Sequence, residues 1–258
     1  MPAVSIRFYA ELGDFLPASR RQIAFAHAVR DHVSVKDLIE SLGVPHTEVD
    51  LVLVNGESVD FSYRVQDGDR ISVYPVFESL DITPLLRVRP QPLREPRFVL
   101  DTHLGKLAGY LRLLGFDTLY RNDYPDPLLV QISHQEHRIL LTRDRGVLKH
   151  RLVTHGYYVW ETAPLRQAVE VLRRFDLAGA ITPFRRCMRC NGLLEPVAKD
   201  RVVDRLLPKT RQYYDEFQQC AGCGRVYWKG SHHERMRGLV ESVRRQLTES
   251  QPSGKETR

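Results

Sequence analysis

All four cysteines of the 258-residue chain lie near its C-terminal end, in two pairs. Two residues separate Cys187 from Cys190, two more separate Cys220 from Cys223, and 29 residues lie between the pairs. Two C-x-x-C turns at this spacing are typical of zinc knuckles, which bring four thiolates to one tetrahedral Zn²⁺. Four ligands complete the coordination shell, so we expect the zinc to be structural, with no vacancy for the nearby histidines.

Acidic side chains follow three apolar, strand-like segments. Asp101 ends "RFVLD", Asp123 lies in the loop after "FDTLY", and Asp144 follows "RILLT" by two residues. Ligands of a parallel sheet bind at the carboxyl ends of its strands, so we expect these acids to reach one edge. Gathered carboxylates repel each other unless a hard cation lies among them, and Mg²⁺ or Mn²⁺ is held by one or two carboxylates, water and substrate phosphate. The pattern predicts a phosphodiester-cleaving site, with Asp101 and Asp144 as the metal ligands.

Basic residues accompany these acids. Arg143 and Arg145 flank Asp144, and Lys106 follows Asp101 by five positions. We expect these three cations, together with Lys229 in the cysteine-containing region, to face the phosphate backbone of a substrate. The alternative is that Asp101 and Asp144 are N-caps of the helices that follow them, which is the commoner role for a single acid at a strand-to-helix turn.

The segment that carries the acids alternates strand-like and helix-like patterns. "LGKLAGYLRLLG" places leucines on one helical face and ends at Gly115, and Asp126 with Pro127 predicts the start of another helix. A further helix is expected from about Pro164 to Phe175. Repeated βα units predict a parallel sheet covered by helices.

The first 80 residues have a different pattern. Alternating "VSIRFY", a helix-like "SVKDLIESLG", and strands joined by the Asn55-Gly56 turn suggest the order β, β, α, β, β, β. This order predicts a β-grasp domain. Four prolines interleaved with four arginines follow it and predict a linker.

Charge changes along the chain. Residues 1–80 hold 7 Lys/Arg against 12 Asp/Glu, residues 81–180 hold 15 against 11, and residues 181–258 hold 16 against 9. A basic C-terminal half suits a polyanion such as nucleic acid, although a solvated arginine-rich surface explains the charge as well.

Five regions are therefore predicted. They are a β-grasp domain (1–80), a Pro/Arg-rich linker (81–97), a parallel-sheet α/β domain (98–180), a four-cysteine zinc ribbon (181–235) and a basic, partly disordered tail (236–258). The opening residues do not have the pattern of a signal peptide, and no stretch of 18 apolar residues follows, so we expect a cytoplasmic protein without a membrane segment.

The acid-containing motifs resemble those of a known family. "FVLDTHLGKLAGYLRLLGFDTLYRND", "RILLTRDRGVLKHR", the two cysteine pairs and "VYWKGSHHERM" occur in the order seen in the Mut-seven C-terminal RNase domain, a PIN-like ribonuclease family, over residues 97–236. The resemblance implies a metal-dependent nuclease that acts on RNA through Asp101 and Asp144. Asp123 is the third candidate acid and Asp117 competes with it, while Glu136 alone stands near the position of a fourth.

The N-terminal region resembles the ubiquitin-like sulfur carriers of thiamine and molybdopterin synthesis through "LVLVNGESVDFSYRVQDGDRISVYP". Those carriers need a terminal Gly-Gly, and this segment continues as "YPVFES" instead. We therefore expect a docking domain, whose acidity favours a protein partner or the basic regions of its own chain.

Together these observations predict a metal-dependent ribonuclease whose zinc ribbon helps to bind RNA. The competing interpretations are a non-catalytic RNA- or ribosome-binding protein with a PIN-like fold and, less favoured, a sulfur-transfer adaptor. The sequence leaves the oligomeric state open. The five aromatic residues between Tyr213 and Trp228 are assigned mainly to the small core of the ribbon, with Lys229, Arg235 and Arg237 as better RNA contacts.

Overall fold

A computed structural model describes residues 2–30, 32–75, 87–88 and 96–249. The described residues form two compact units, one within 1–95 and 125–158 and the other within 96–124 and 159–258. Apart from 87–88 and 96–97, the predicted linker lies outside the described residues, as does the predicted tail beyond 249.

The first unit begins with a five-stranded sheet and one helix. The elements are β1 (Ala3–Phe8), β2 (Phe25–Ala28), α1 (Val35–Ser41), β3 (Leu51–Val54), β4 (Glu57–Ser58) and β5 (Arg70–Tyr74). The strand order is β2-β1-β5-β3-β4, with β1 parallel to β5 and the other neighbours antiparallel. This is the predicted β-grasp arrangement.

Local sequence explains these elements. Val4, Ile6 and Phe8 alternate along β1 and are buried, as a strand with one face on the core requires. The Ser34 hydroxyl caps α1 by accepting a hydrogen bond from the Asp37 amide at 3.1 Å. Asn55 has a φ of +54°, a left-handed conformation that asparagine tolerates in a tight hairpin turn.

The same unit contains part of the α/β region. The elements are α3 (Asp126–Glu136), β8 (Ile139–Thr142), α4 (Arg145–Leu148) and β9 (Gly156–Tyr158). β8 and β9 are parallel and all four residues of β8 are buried. The helix predicted from Asp126 and Pro127 begins at Asp126, and Pro125 is its N-cap.

The second unit holds the strands and helices around the other candidate acids. They are β6 (Phe98–Leu100), α2 (Gly105–Leu113), β7 (Thr118–Tyr120) and α5 (Pro164–Arg174), with β6 parallel to β7. α2 buries Leu107, Ala108 and Leu111, the face predicted from its leucine spacing. Gly115 ends this segment with a φ of +102°, and a side chain there would overlap the Thr182 carbonyl.

The cysteine region forms a small antiparallel sheet. Its elements are β10 (Leu194–Val197), α6 (Pro208–Tyr213), β11 (Phe217–Cys220) and β12 (Val226–Trp228), followed by α7 (Ser231–Glu249). Val202, Leu206 and Phe217 form its core. Of the five aromatic residues assigned mainly to this core, Phe217 is buried in it and Tyr214 packs against it, whereas Tyr213 and Trp228 are 68% and 37% exposed.

None of the described helices has both the length and the apolar character needed to cross a bilayer. The fold therefore combines a β-grasp domain, a parallel-strand α/β domain and a four-cysteine ribbon, as the sequence predicted.

Candidate metal centre and strand-end acids

The four cysteine sulfurs converge. Cys187, Cys190, Cys220 and Cys223 have Sγ atoms within 4.8 Å of one another. The Cys187–Cys223 and Cys190–Cys220 pairs are 3.7 and 3.3 Å apart, too far for a disulfide of about 2.05 Å. A tetrahedral zinc with bonds of about 2.3 Å places its sulfurs about 3.8 Å apart. The donor set therefore fits one zinc ion.

The two knuckle turns present these sulfurs through short backbone hydrogen bonds. The Asn191 amide donates to the Cys187 carbonyl at 2.9 Å, and the Gly224 amide donates to the Cys220 carbonyl at the same distance. Gly192 is required where the turns meet, because a Cβ there would lie 2.9 Å from Cys220 Sγ. The backbone of the two turns thus sets the positions of the four sulfur atoms.

The groups around Cys187 favour its thiolate form. Burial alone would raise the pKa of Cys187, but the Tyr227 hydroxyl, 3.0 Å from its sulfur, and nearby backbone amides lower that pKa to about 6. Hydrogen bonds to the charged form favour it. Cys187 therefore offers a thiolate at neutral pH, which is the form that ligates zinc.

The first knuckle is fixed to the α/β domain by a buried arginine. Arg112 of α2 is 4% exposed, and its guanidinium donates to the carbonyls of Thr118, Met188 and Arg189 at 2.9, 3.1 and 2.9 Å. One side chain thus links α2, the start of β7 and the C-x-x-C turn. The sequence motif did not indicate this role, because it depends on contacts 76 and 77 residues apart.

A second link comes from the residue after the first cysteine pair. Asn191 accepts a hydrogen bond from the Thr118 amide at 3.0 Å and donates to Asp117 Oδ1 at 2.8 Å. Arg186 lies 3.4 Å from the other Asp117 oxygen. Asp117, the alternative third acid, thus faces the zinc ribbon and contributes to joining it to β7.

Asp101 lies at the end of β6, as predicted, and is 7% exposed. Its Oδ1 accepts hydrogen bonds from the Thr102 amide and, at 3.0 Å, from the Thr102 hydroxyl. Tyr120 supports this turn, since its hydroxyl donates to the Thr102 carbonyl at 2.9 Å. Its ring lies against Gly105, where a Cβ would come 2.6 Å from the hydroxyl oxygen. Asp101 is therefore both a cap and a fixed, buried carboxylate.

Asp144 is the N-cap of α4 and is exposed. Its Oδ1 accepts a hydrogen bond from the Gly146 amide at 2.6 Å, while Oδ2 has no hydrogen-bond partner within the described part of the chain. The capping interpretation and the metal interpretation are thus compatible, because the cap uses one oxygen.

The cations predicted to bind phosphate differ in their surroundings. Lys106 is exposed and Arg143 is half-buried. The Arg145 guanidinium lies 4.9 Å from the Phe15 ring centre and 5.4 Å from that of Tyr158. Lys229 is exposed and forms a 2.6 Å ion pair with Glu216.

Asp123 is exposed and turned toward Arg121. The guanidinium donates to both carboxylate oxygens, at 2.9 and 2.8 Å, and holds the Asp123 pKa below its usual value. Across the described ranges, the cysteines are the one group of three or more His, Cys, Asp or Glu side chains close enough to share an ion. Glu136, near the fourth acid position, pairs with Arg138 at 2.7 Å.

The β-grasp domain contacts the segment that carries Asp144. The His46 ring nitrogens lie 2.6 Å from Glu40 Oε1 and 2.8 Å from the Val153 carbonyl oxygen. Lys149 donates to the Glu40 carbonyl, and the buried Glu48 carboxylate accepts the Tyr158 amide at 2.7 Å. The acidic domain therefore packs on the chain's own basic segment, one of the two partners expected for it.

Two family models match the chain. A family model described as the Mut7-C RNAse domain matches residues 96–240, and one described as Mut7-C ubiquitin matches residues 1–81. None of the curated proteins compared with the chain matches it. Among solved structures, the crystal structure of small archaeal modifier protein 1 from H. volcanii is similar at 17% identity and a TM-score of 0.24, over 29% of this chain and 98% of that one.

Proposed function

Because the chain belongs to the Mut7-C RNase domain family, we propose that it is a metal-dependent ribonuclease that hydrolyses RNA phosphodiester bonds. The observation that carries this proposal is the family match over residues 96–240, which includes Asp101, Asp123, Asp144 and all four cysteines. RNA is accordingly the proposed substrate, and the three acids are the proposed catalytic residues.

Asp101 and Asp144 would hold Mg²⁺ or Mn²⁺. Hard divalent cations of this kind need only one or two carboxylates, with water and substrate phosphate as the remaining ligands. When bound, the ion would supply an activated water and screen negative charge on the phosphate. The caps restrain both carboxylates before substrate arrives, because each is already hydrogen-bonded to the backbone amide of its own turn.

Asp123 is the third proposed acid. The Arg121 pair keeps it ionised, as an acidic ligand must be, but also occupies both of its oxygens. Its participation in the proposed site therefore requires exchange of the guanidinium for the metal or its water. An exposed ion pair of this kind contributes little stability, so the exchange costs little.

The remaining cations would bind the RNA backbone. Lys106 is exposed and has no ion-pair partner among the described residues, so it is available to phosphate. Arg143 and Arg145 flank the proposed ligand Asp144. The stacking of Arg145 on Phe15 and Tyr158 would hold its guanidinium beside the site, and the β-grasp domain would thereby contribute to the shape of the site.

The zinc ribbon would act as a structural element that helps to bind RNA, with Lys229 as one contact. Four reduced cysteines suit the cytoplasm, where thiols persist, and we propose that location. The β-grasp domain would serve for docking to its own chain and to a protein partner, and its sequence lacks the Gly-Gly of a sulfur carrier at the end of the last strand.

The proposal is tested by cleavage of structured and single-stranded RNAs by purified protein in Mn²⁺, Mg²⁺ or EDTA. Wild type should cleave with metal and not with EDTA, and Asp101→Asn/Asp144→Asn should not cleave. Asp126→Asn is the control for the substitution itself, because it removes one negative charge from an exposed acid in the first turn of α3, outside the proposed site. Cleavage by the double variant at the wild-type rate would refute the assignment of the acids.

The second candidate is a non-catalytic RNA- or ribosome-binding protein. It is favoured by one observation: both carboxylate oxygens of Asp123 are occupied by the Arg121 guanidinium. Equal RNA binding by wild type and double variant, without cleavage in any metal, would favour this candidate over the nuclease.

A further inference from the structure

A large groove lies on the zinc ribbon, and none of the four cysteines lines it. Its volume is about 1070 Å³, and it is bordered by α6, β11, β12 and the first turn of α7. Leu113, Met188 and Leu194 contribute apolar surface to it. The function proposed above uses only Lys229 from this region, so most of the groove has no assigned role.

Two aromatic side chains in the lining are unusually accessible. Tyr213 is 68% exposed and Trp228 is 37% exposed, and neither stacks on another aromatic ring within the described part of the chain. One edge of the Trp228 indole packs against Gly230, where a Cβ would lie 2.9 Å from the indole nitrogen. Both are large rings with exposed surface in a small domain that needs its aromatics for its own core.

The charges that line the groove favour an anion. Its two acids are neutralised: Glu216 pairs with Lys229 at 2.6 Å, and Asp215 pairs with Lys199 at 2.8 Å. Lys209 and Arg225 also line the groove, and in the described ranges neither side chain has a hydrogen bond or an ion pair. Two uncompensated cations thus accompany the two exposed rings.

We propose that this groove binds unpaired nucleotides of single-stranded RNA, with bases stacked on Trp228 and Tyr213 and phosphates contacted by Lys209 and Arg225. The inference rests on the proposed ribonuclease function and adds the class of substrate, namely RNA with an unpaired segment. Exposed rings beside unpaired cations are the usual means of binding single strands, because any base offers a face for stacking. Bases in a duplex are already stacked and cannot reach such rings.

A protein segment is the other conceivable occupant, since part of the lining is apolar. The excess of cations argues for the polyanion: an apolar peptide would leave Lys209 and Arg225 without a partner on binding. The described residues from 181 to 249 also hold 14 Lys/Arg against 8 Asp/Glu, an excess of cations that suits a polyanion.

The test measures binding without cleavage, in the full chain carrying Asp101→Asn/Asp144→Asn. Fluorescence anisotropy compares a labelled single-stranded RNA with a blunt RNA duplex. We expect tighter binding of the single strand and, because a stacked base contributes about 1–3 kcal/mol, at least a tenfold rise in its Kd on adding Tyr213→Ala and Trp228→Ala. Trp228→Phe keeps a ring and should remain within about threefold. Ile23→Ala, an exposed apolar residue of the β-grasp domain, should have no effect.

A second variant avoids any change to the aromatic packing. Lys209→Gln/Arg225→Gln should lower the slope of log Kd against log salt by about 1.4, since each phosphate contact on a single strand contributes about 0.7. One zinc per chain in every variant shows that the ribbon is folded. Unchanged single-strand affinity in zinc-loaded variants, or no RNA binding by the parent protein, would overturn the proposal and leave the groove to a protein partner.

The two proposals fail separately. If wild type cleaves RNA but the groove variants bind RNA normally, only the proposal that the groove binds RNA is refuted. If the groove variants lose RNA binding but wild type cleaves no RNA in any metal, the proposed ribonuclease activity is refuted and the groove remains an RNA-binding site.

Discussion

Asn191 offers the sharpest test of how the zinc ribbon is joined to the α/β domain. Its side chain is 7% exposed, accepts from the Thr118 amide and donates to Asp117, and its backbone has a φ of +72°. Asn191→Ala removes both side-chain hydrogen bonds and places a Cβ-bearing residue without a local hydrogen bond in the left-handed region. Asn191→Gly removes the same hydrogen bonds but tolerates that backbone.

The expected magnitude follows from these contacts. The buried Thr118 amide left without an acceptor costs about 1–3 kcal/mol, and loss of the donor to Asp117 costs about 1 kcal/mol because Arg186 remains nearby. The left-handed conformation adds about 1 kcal/mol for alanine. We therefore expect the junction to be weakened by about 3–5 kcal/mol in Asn191→Ala and by about 1 kcal/mol less in Asn191→Gly.

Hydrogen exchange measured on zinc-loaded protein reports this junction locally. A loss of about 3 kcal/mol should speed exchange of the Thr118 amide about a hundredfold, if exchange occurs through opening of the junction. Asn55→Ala is the matched control, because Asn55 also has a positive φ and bonds to the Arg70 amide and Asp69, in the other unit. It should leave the Thr118 peptide unchanged. Wild-type exchange at Thr118 in Asn191→Ala would refute the reasoning.

Three further outcomes are expected. Gly105→Ala should destabilise the protein by about 1–3 kcal/mol in thermal unfolding, because its Cβ would displace the Tyr120 hydroxyl. Gly238→Ala, in the open interior of α7, should instead stabilise it by about 0.5–1 kcal/mol. Equal effects of the two substitutions would contradict this. Tyr227→Phe removes one of the hydrogen bonds that lower the Cys187 pKa to about 6, so that pKa should rise. Zinc binding at pH 7 should then release more protons, and zinc affinity should fall more steeply as the pH falls. Calorimetry in several buffers measures the number of protons released. An unchanged proton release would count against that bond. Arg121→Gln should raise the pKa of Asp123, which Arg121 now lowers, so the carboxyl should titrate at higher pH by NMR, and a constant pKa would show that the pair does not form in solution.

The sequence predicted those features that depend on local pattern. The order of the β-grasp elements along the chain follows from alternation and the Asn55-Gly56 turn, and α2 follows from its leucine spacing and Gly115. The zinc cluster follows from two C-x-x-C turns, since each turn fixes two sulfurs by itself. Asp101 and Asp144 were expected as site acids, with N-capping as the alternative, and both caps are present.

Other features depend on long-range contacts and could not be read from local pattern. Arg145 was expected to face RNA on the basis of its neighbour Asp144, but its stacking on Phe15 joins residues 130 positions apart. Trp228 was one of five aromatic residues assigned mainly to the ribbon core, because so small a domain needs its aromatic side chains. It pairs in register with buried Phe217, yet β12 is the edge strand of the sheet and leaves the indole partly exposed.

The central claim, metal-dependent cleavage of RNA, is tested most directly by sulfur substitution at the scissile phosphate. Replacing a non-bridging oxygen with sulfur weakens Mg²⁺ binding, because sulfur is a softer ligand that Mn²⁺ accepts more readily. We predict that single-turnover cleavage of the phosphorothioate RNA is slow in Mg²⁺ and restored by Mn²⁺, and is absent in Asp101→Asn/Asp144→Asn. Cleavage that persists in chelator would contradict the account, as would a complete lack of cleavage of the unmodified RNA.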